Sequence, residues 1–174
     1  MGGLSYGSET TLWTLAHSSV VTAASVSGVS VTPTYYLFNS LREAFRSNLR
    51  KVSWLGAPDE TPERWKKLSP AYQLDRIKAP ILFQMPEQEY MQATDYVIPM
   101  IRKNMADLYA FPNEPHQKFQ PRHKLAVYTR NVDWFRFWLR GYEDGDSSKA
   151  DQYARWRSLR RPTSERSSAP GCKG

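Results

Sequence analysis

A chain of 174 residues with 40% hydrophobic side chains, among them six tryptophans, ten tyrosines and seven phenylalanines, is long enough for one domain with a packed core. No apolar run reaches the length of a membrane-spanning helix, and a lone cysteine, Cys172, excludes an intrachain disulfide framework. The net charge of +7 belongs to the end: from Ala154 onward Arg155, Arg157, Arg160, Arg161, Arg166 and Lys173 face one acid, Glu165, and carry about five of the excess charges.

A basic end rich in Ser, Pro and Gly reads as a solvated tail, so neither a nucleic-acid nor a membrane partner is expected. No cofactor or metal is expected either. The start shows no basic region followed by an apolar run. The compartment stays open, with the cytoplasm favoured over the periplasm.

Gly3-Leu4-Ser5-Tyr6-Gly7 fits the pattern Gly-x-Ser-x-Gly. In one class of hydrolases this is a tight strand-to-helix turn that lifts a serine Oγ above a sheet. On its own the pattern is weak, and a flexible "MGGLSYGS" would fit as well. A helix is predicted over Ser8 to Ser18, with Leu12, Leu15 and Ala16 inward, followed by a buried strand within Thr22 to Thr32.

Tyr35 to Val52 reads as one helix with Leu37, Leu41, Ala44, Phe45 and Leu49 inward. A Pro-punctuated connection follows, holding a short helix over Pro62 to Lys67. "PILFQM" after Pro80 is a strand. Thr94 to Met105 reads as a helix despite Pro99, packing Val97, Met100, Ile101 and Met105, and "ADLYAFP" is a further strand.

Arg122 to Gly141 is the longest helix, with Leu125, Tyr128, Val132, Phe135 and Leu139 recurring at three- and four-residue steps and Gly141 as its stop. The alternation predicts an α/β fold, a parallel sheet with helices on both faces. Residues 1–142 form the expected compact unit. Residues 143–174 form an extension, helix-like in "QYARWRSL" and then a disordered basic tail.

A hydrolase elbow needs an acid and then a histidine later in the chain, in loops beyond the C-terminal ends of parallel strands. "PILFQM" is followed by Glu87 and Glu89, and "LYAFP" is followed by His116. His116 is the candidate base for Ser5. Glu89 is the favoured acid with Glu87 as the alternative, and the N–H of Tyr6 is the oxyanion donor. His17 and His123 fall in predicted helices and suit surface or packing roles.

The spans "GLSYGSE", "SPAYQLDRIKAPILF" and "AFPNEPHQKFQPRHKLAVYTRNVDWFRFWL" resemble the C-terminal α/β-hydrolase part of prolyl oligopeptidase-family serine peptidases, from Gly3 to Leu139. Within that family, Gln84 to Met91 and the last helix look most like the lasso peptide isopeptidases, which open the isopeptide bond of a threaded peptide's macrolactam ring. The family's acid loop laid on "PILFQMPEQE" puts Met85 at its histidine, Pro86 at its glycine and Glu89 at its aspartate, so the acid here is glutamate.

The resemblance implies a Ser5-His116-Glu89 triad and a peptide substrate. It also implies strands ahead of the elbow and a propeller, neither of which precedes Met1. The expected chain is therefore a partial domain holding three strands, inactive or weakly active alone, with an open sheet edge through which it could self-associate. An esterase, an acyl-aminoacyl or dipeptidyl peptidase, and a non-catalytic interaction protein are the other readings.

Overall fold

The computed structural model describes residues 1–160. The basic tail expected beyond Arg160 lies outside the described residues. Strands β1 (Gly2–Gly3), β2 (Ala24–Val26), β3 (Ile81–Pro86) and β4 (Ala106–Phe111) form one sheet in the order β1-β2-β3-β4, every pair parallel. The sheet holds four strands and not the three expected, because Gly2 and Gly3 themselves pair with Ser25 and Val26. Two residues suffice for an elbow strand because the neighbouring ladder is already in place.

Side chains alternate across β3. Ile81, Phe83 and Met85 join Leu12, Leu15, Tyr96, Val97 and Met100 on the face covered by α1 (Tyr6–His17) and α6 (Thr94–Arg102). Leu82 points the other way, into Trp134 and Phe137 of α7 (Pro121–Arg140) and Tyr153 and Trp156 of α8 (Ala150–Arg160). Both faces are covered, as a parallel sheet requires. A satellite cluster joins Leu49 and Leu55 to Trp65 of α4 (Pro62–Leu68) in the long connection.

Three expectations are corrected. The single helix over Tyr35 to Val52 is two, α2 (Pro33–Asn39) and α3 (Glu43–Ser53). The chain turns where Asn39 is buried, its amide donating to Tyr35 O and to Gln92 Oε1, both at 2.8 Å. As a result Leu37, Leu41 and Ala44 face solvent while Leu49 stays inside.

On α7 only Phe135 of the periodic stripe packs, half-buried against the Trp134 cluster. Leu125, Tyr128, Val132 and Leu139 are 67%, 67%, 49% and 61% exposed, and the adjacent face carrying Asp133, Trp134 and Phe137 is buried instead. The bulkier aromatics take the sheet, and Asn131 with Arg130 hydrogen-bonds the buried Gln84 of β3.

The packed part also runs past Tyr142. Trp156 of α8 donates through Nε1 to Asp107 Oδ2 at 2.7 Å, and Arg155 Nε reaches Asp107 Oδ1 at 3.2 Å. The expected boundary misses this because α8 is anchored by two aromatics and not by an apolar stripe. Gly141 ends α7 in the left-handed conformation, φ +67°, as expected.

Candidate active site

Ser5 occupies the turn between β1 and α1 with φ 58° and ψ −128°, a conformation that costs a non-glycine residue roughly 1–3 kcal/mol and persists where its surroundings over-determine it. Gly7 N donates to Leu4 O at 3.0 Å, Ser8 N to Ser5 O at 2.7 Å, and Ser8 Oγ to Gly3 O at 3.1 Å. A Cβ on Gly3 would fall 2.0 Å from Gly7 O, so this glycine is required sterically. Gly7, the other motif glycine, faces open space. The second tight approach is Gly28, where a Cβ would sit 2.8 Å from Ser5 N. No pattern in the sequence marks Gly28, since its role exists only once β2 is beside the elbow.

Tyr6 begins α1, and its N–H meets no backbone or side-chain acceptor among the described residues. A first-turn helix N–H beside a serine is placed to meet an anion.

Glu89 sits in the first turn of α5 (Glu87–Gln92), directly after β3. Its Oε2 accepts the N–H of Val29 at 3.1 Å and its Oε1 holds Nδ1 of His116. An ionised carboxylate only accepts hydrogen bonds, so Nδ1 carries the proton and Nε2 is left as the basic nitrogen. Ser5, Tyr6, Glu89 and His116 line one cleft of about 380 Å³, with Glu9, Tyr35 and Asn39 among the other walls. Glu87 is exposed and does not line it.

Of the other two histidines, His17 is exposed and His123 is half-buried. His17 Nδ1 donates to Trp13 O at 2.8 Å and stacks on that ring, and His123 Nδ1 donates to the buried Glu114 at 2.6 Å. Among the described residues no group of three or more acidic, histidine or cysteine side chains could hold a metal ion.

Burial pushes the Glu9 carboxyl up from its ordinary value to about 7. Between the unfolded value near 4.5 and about 7 the native state binds more protons than the unfolded chain, so this group lowers stability progressively as pH rises through that window. Glu9→Gln is therefore expected to raise the melting temperature by a few degrees at pH 8 and to leave it unchanged at pH 4, measured by thermal unfolding at the two pH values.

Residues 1–141 match the family model described as the prolyl oligopeptidase family. The curated lasso peptide isopeptidase AtxE2 of Asticcacaulis excentricus is 41% identical over 97 residues, 55% of this chain and 14% of that protein. The structure of AtxE2 isopeptidase without ligand superposes with a TM-score of 0.79 at 34% identity, covering 91% of this chain and 24% of the other. A variant of it with Astexin3-dC4 bound gives 0.76 at 31% identity, with the same coverage of each chain.

The acylaminoacyl peptidase of Pyrococcus horikoshii gives 0.64 at 25% identity, covering 86% of this chain and 25% of that one. The chain thus spans about a quarter or less of the length of these relatives. Its four parallel strands between two helical layers are the C-terminal part of an α/β-hydrolase domain. With the family model matched over most of its length, the chain belongs to the prolyl oligopeptidase family of serine peptidases.

Proposed function

We propose that this chain carries the reacting groups of a serine peptidase, with Ser5 as nucleophile, His116 as base, Glu89 as the acid that orients it and the Tyr6 N–H as an oxyanion donor. Nε2 of His116 takes the proton as Ser5 Oγ bonds to the substrate carbonyl carbon. The negative charge develops on the carbonyl oxygen, towards the Tyr6 N–H. Collapse breaks the C–N bond, and His116 returns its proton to the departing amine. Water then repeats the sequence on the acyl-enzyme, with His116 again as base. The observation that carries this reading is Glu89 holding the Nδ1 side of His116 at the cleft Ser5 lines.

The bond cleaved is the isopeptide bond of a threaded lasso peptide, supported by the likeness to AtxE2. Isolated, the chain is inactive or weakly active: among the described residues the cleft offers one oxyanion donor and stands open to solvent on one side. The test is a chimera in which this chain replaces the matched segment of the Asticcacaulis isopeptidase. The chimera should release the ring-closing amine of a threaded substrate, and the purified chain should show little or no turnover. A chimera that cleaves only linear acylated peptides would move the assignment to acyl-aminoacyl peptidase chemistry.

Self-association belongs to the same reading. Among the described residues β1 is an edge strand, and it borders a groove of about 500 Å³ lined by Gly2, Gly3, Leu4, the exposed Tyr128 and the half-buried Phe135 of α7. Exposed apolar surface of this kind beside an unpaired strand edge favours association. Sedimentation velocity of the purified chain should show concentration-dependent mass, and Tyr128→Glu, at the exposed wall of this groove, should return it to monomer.

A further inference from the structure

His116 lies in the loop between β4 and α7 with an acid two residues before it and a base two residues after, Glu114 and Lys118. Both are buried, whereas the imidazole between them is nearly half exposed. Asn113, in the turn that follows β4, takes the left-handed conformation, φ 53°.

Glu114 closes the loop on itself. Its carboxylate accepts the N–H of Phe119 at 2.8 Å, the N–H of Gln120 at 3.3 Å and the Nδ1–H of His123 at 2.6 Å. Lys118 ties the loop to the sheet. Nζ donates to Ser27 Oγ at 2.8 Å, Ser27 Oγ donates to Gln84 O at 2.8 Å, and the ammonium lies 5.3 Å from the Phe111 ring centroid.

Burying a charge carries a desolvation penalty that pairing does not fully offset, and a well-packed apolar pair often gives equal or greater stability. A loop that buries two charges is therefore poorly explained by stability alone. Position gives the reason. Ser27 follows β2 and Gln84 lies in β3, and these two strands lead to Val29, whose N–H donates to Glu89 Oε2, and to Glu89, whose Oε1 meets Nδ1 of His116. The tether and the acid thus share one rigid reference.

We propose that Glu114 and Lys118 are positioning residues that hold the His116 imidazole against Glu89. This rests on the reading of His116 as the base. Neither touches the reacting atoms, and both act through the loop backbone. Burial lowers the Lys118 ammonium from its ordinary value to about 8, with the Glu89 and Glu114 carboxylates acting against that shift.

The test reads the imidazole itself, by nitrogen-15 NMR of the purified chain with its histidines labelled. The wild-type chain should hold neutral His116 as the Nδ1–H tautomer. Glu114→Gln and Lys118→Met should each mix the tautomers while the fold is retained. Ser27→Ala removes the acceptor of the ammonium and reads the same tether should Lys118→Met fail to fold.

Trp65→Phe lowers stability away from the loop and should leave the tautomer unchanged. In the chimera, Glu114→Gln should lower kcat about 10- to 100-fold with KM unchanged. Folded variants whose His116 stays a pure Nδ1–H tautomer, or a Trp65→Phe control that shifts it equally, would overturn the proposal. Turnover does not enter the NMR readout, so tautomers that mix in the variants while the chimera hydrolyses nothing support the positioning role and count against the peptidase reading alone.

Discussion

Replacing His116 by alanine in the chimera is expected to lower the rate of amide hydrolysis about 10⁴-fold or more, with little change in KM. A serine hydroxyl is a weak nucleophile at neutral pH, and the rate depends on a base within reach that is already in the correct tautomer. Here that tautomer is fixed by Glu89, which spends one oxygen on the Val29 N–H and the other on Nδ1 of His116. Ser5→Ala should be as damaging as His116→Ala, and the double variant no worse than either, because the two act as one unit. Glu89→Gln should fall in the same direction, since an amide presents a donor as well as an acceptor to Nδ1. Glu87→Gln should do nothing. Steady-state kinetics on a threaded substrate checks all five.

The second large effect is on stability. Trp156→Ala should cost about 3–5 kcal/mol, the range for removing a buried aromatic, a large share of the about 5–15 kcal/mol that holds a domain folded. Trp156 is fully buried and packs edge-on against Trp134, with ring centroids 5.0 Å apart, and beside Phe137 and Tyr153. Its loss would open a cavity under Leu82 and take from Asp107 the indole N–H that satisfies Oδ2. Trp156→Phe keeps most of the packing and loses the hydrogen bond, so it should cost less than half as much. Urea unfolding of the three proteins gives the comparison. A loss below about 1 kcal/mol for Trp156→Ala would mean that α8 is a loosely attached appendage.

The strands were legible because apolar runs of the right length stand between prolines, and β3 and β4 follow that punctuation closely. The candidate site was drawn from a Gly-x-Ser-x-Gly turn, an acid and a histidine in a fixed order beyond the strand ends, and of these the fold brings Glu89 and His116 into contact across 27 positions. Periodicity failed where two faces of one helix are both apolar: on α7 it selects the Leu125 to Leu139 stripe, while Trp134 and Phe137 take the sheet.

It failed again at α8, where Tyr153 and Trp156 are anchors within an otherwise charged segment. The break between α2 and α3 depends on Asn39 meeting Gln92, a contact 53 positions away that no local pattern carries. Glu114 and Lys118 look like ordinary solvated loop charges until Ser27 and His123 come alongside. Their placement at two positions on either side of the histidine is the one hint the sequence offers.

Whether Ser5 is a nucleophile drawn by His116 is tested most directly by covalent capture. The chimera would be treated with a fluorophosphonate, digested, and the tagged peptide located by mass spectrometry. The tag should be found on Ser5, and substitution of His116 by alanine should abolish it without unfolding the protein. A tag on another residue, or one that forms on Ser5 at the same rate without the imidazole, would contradict the account.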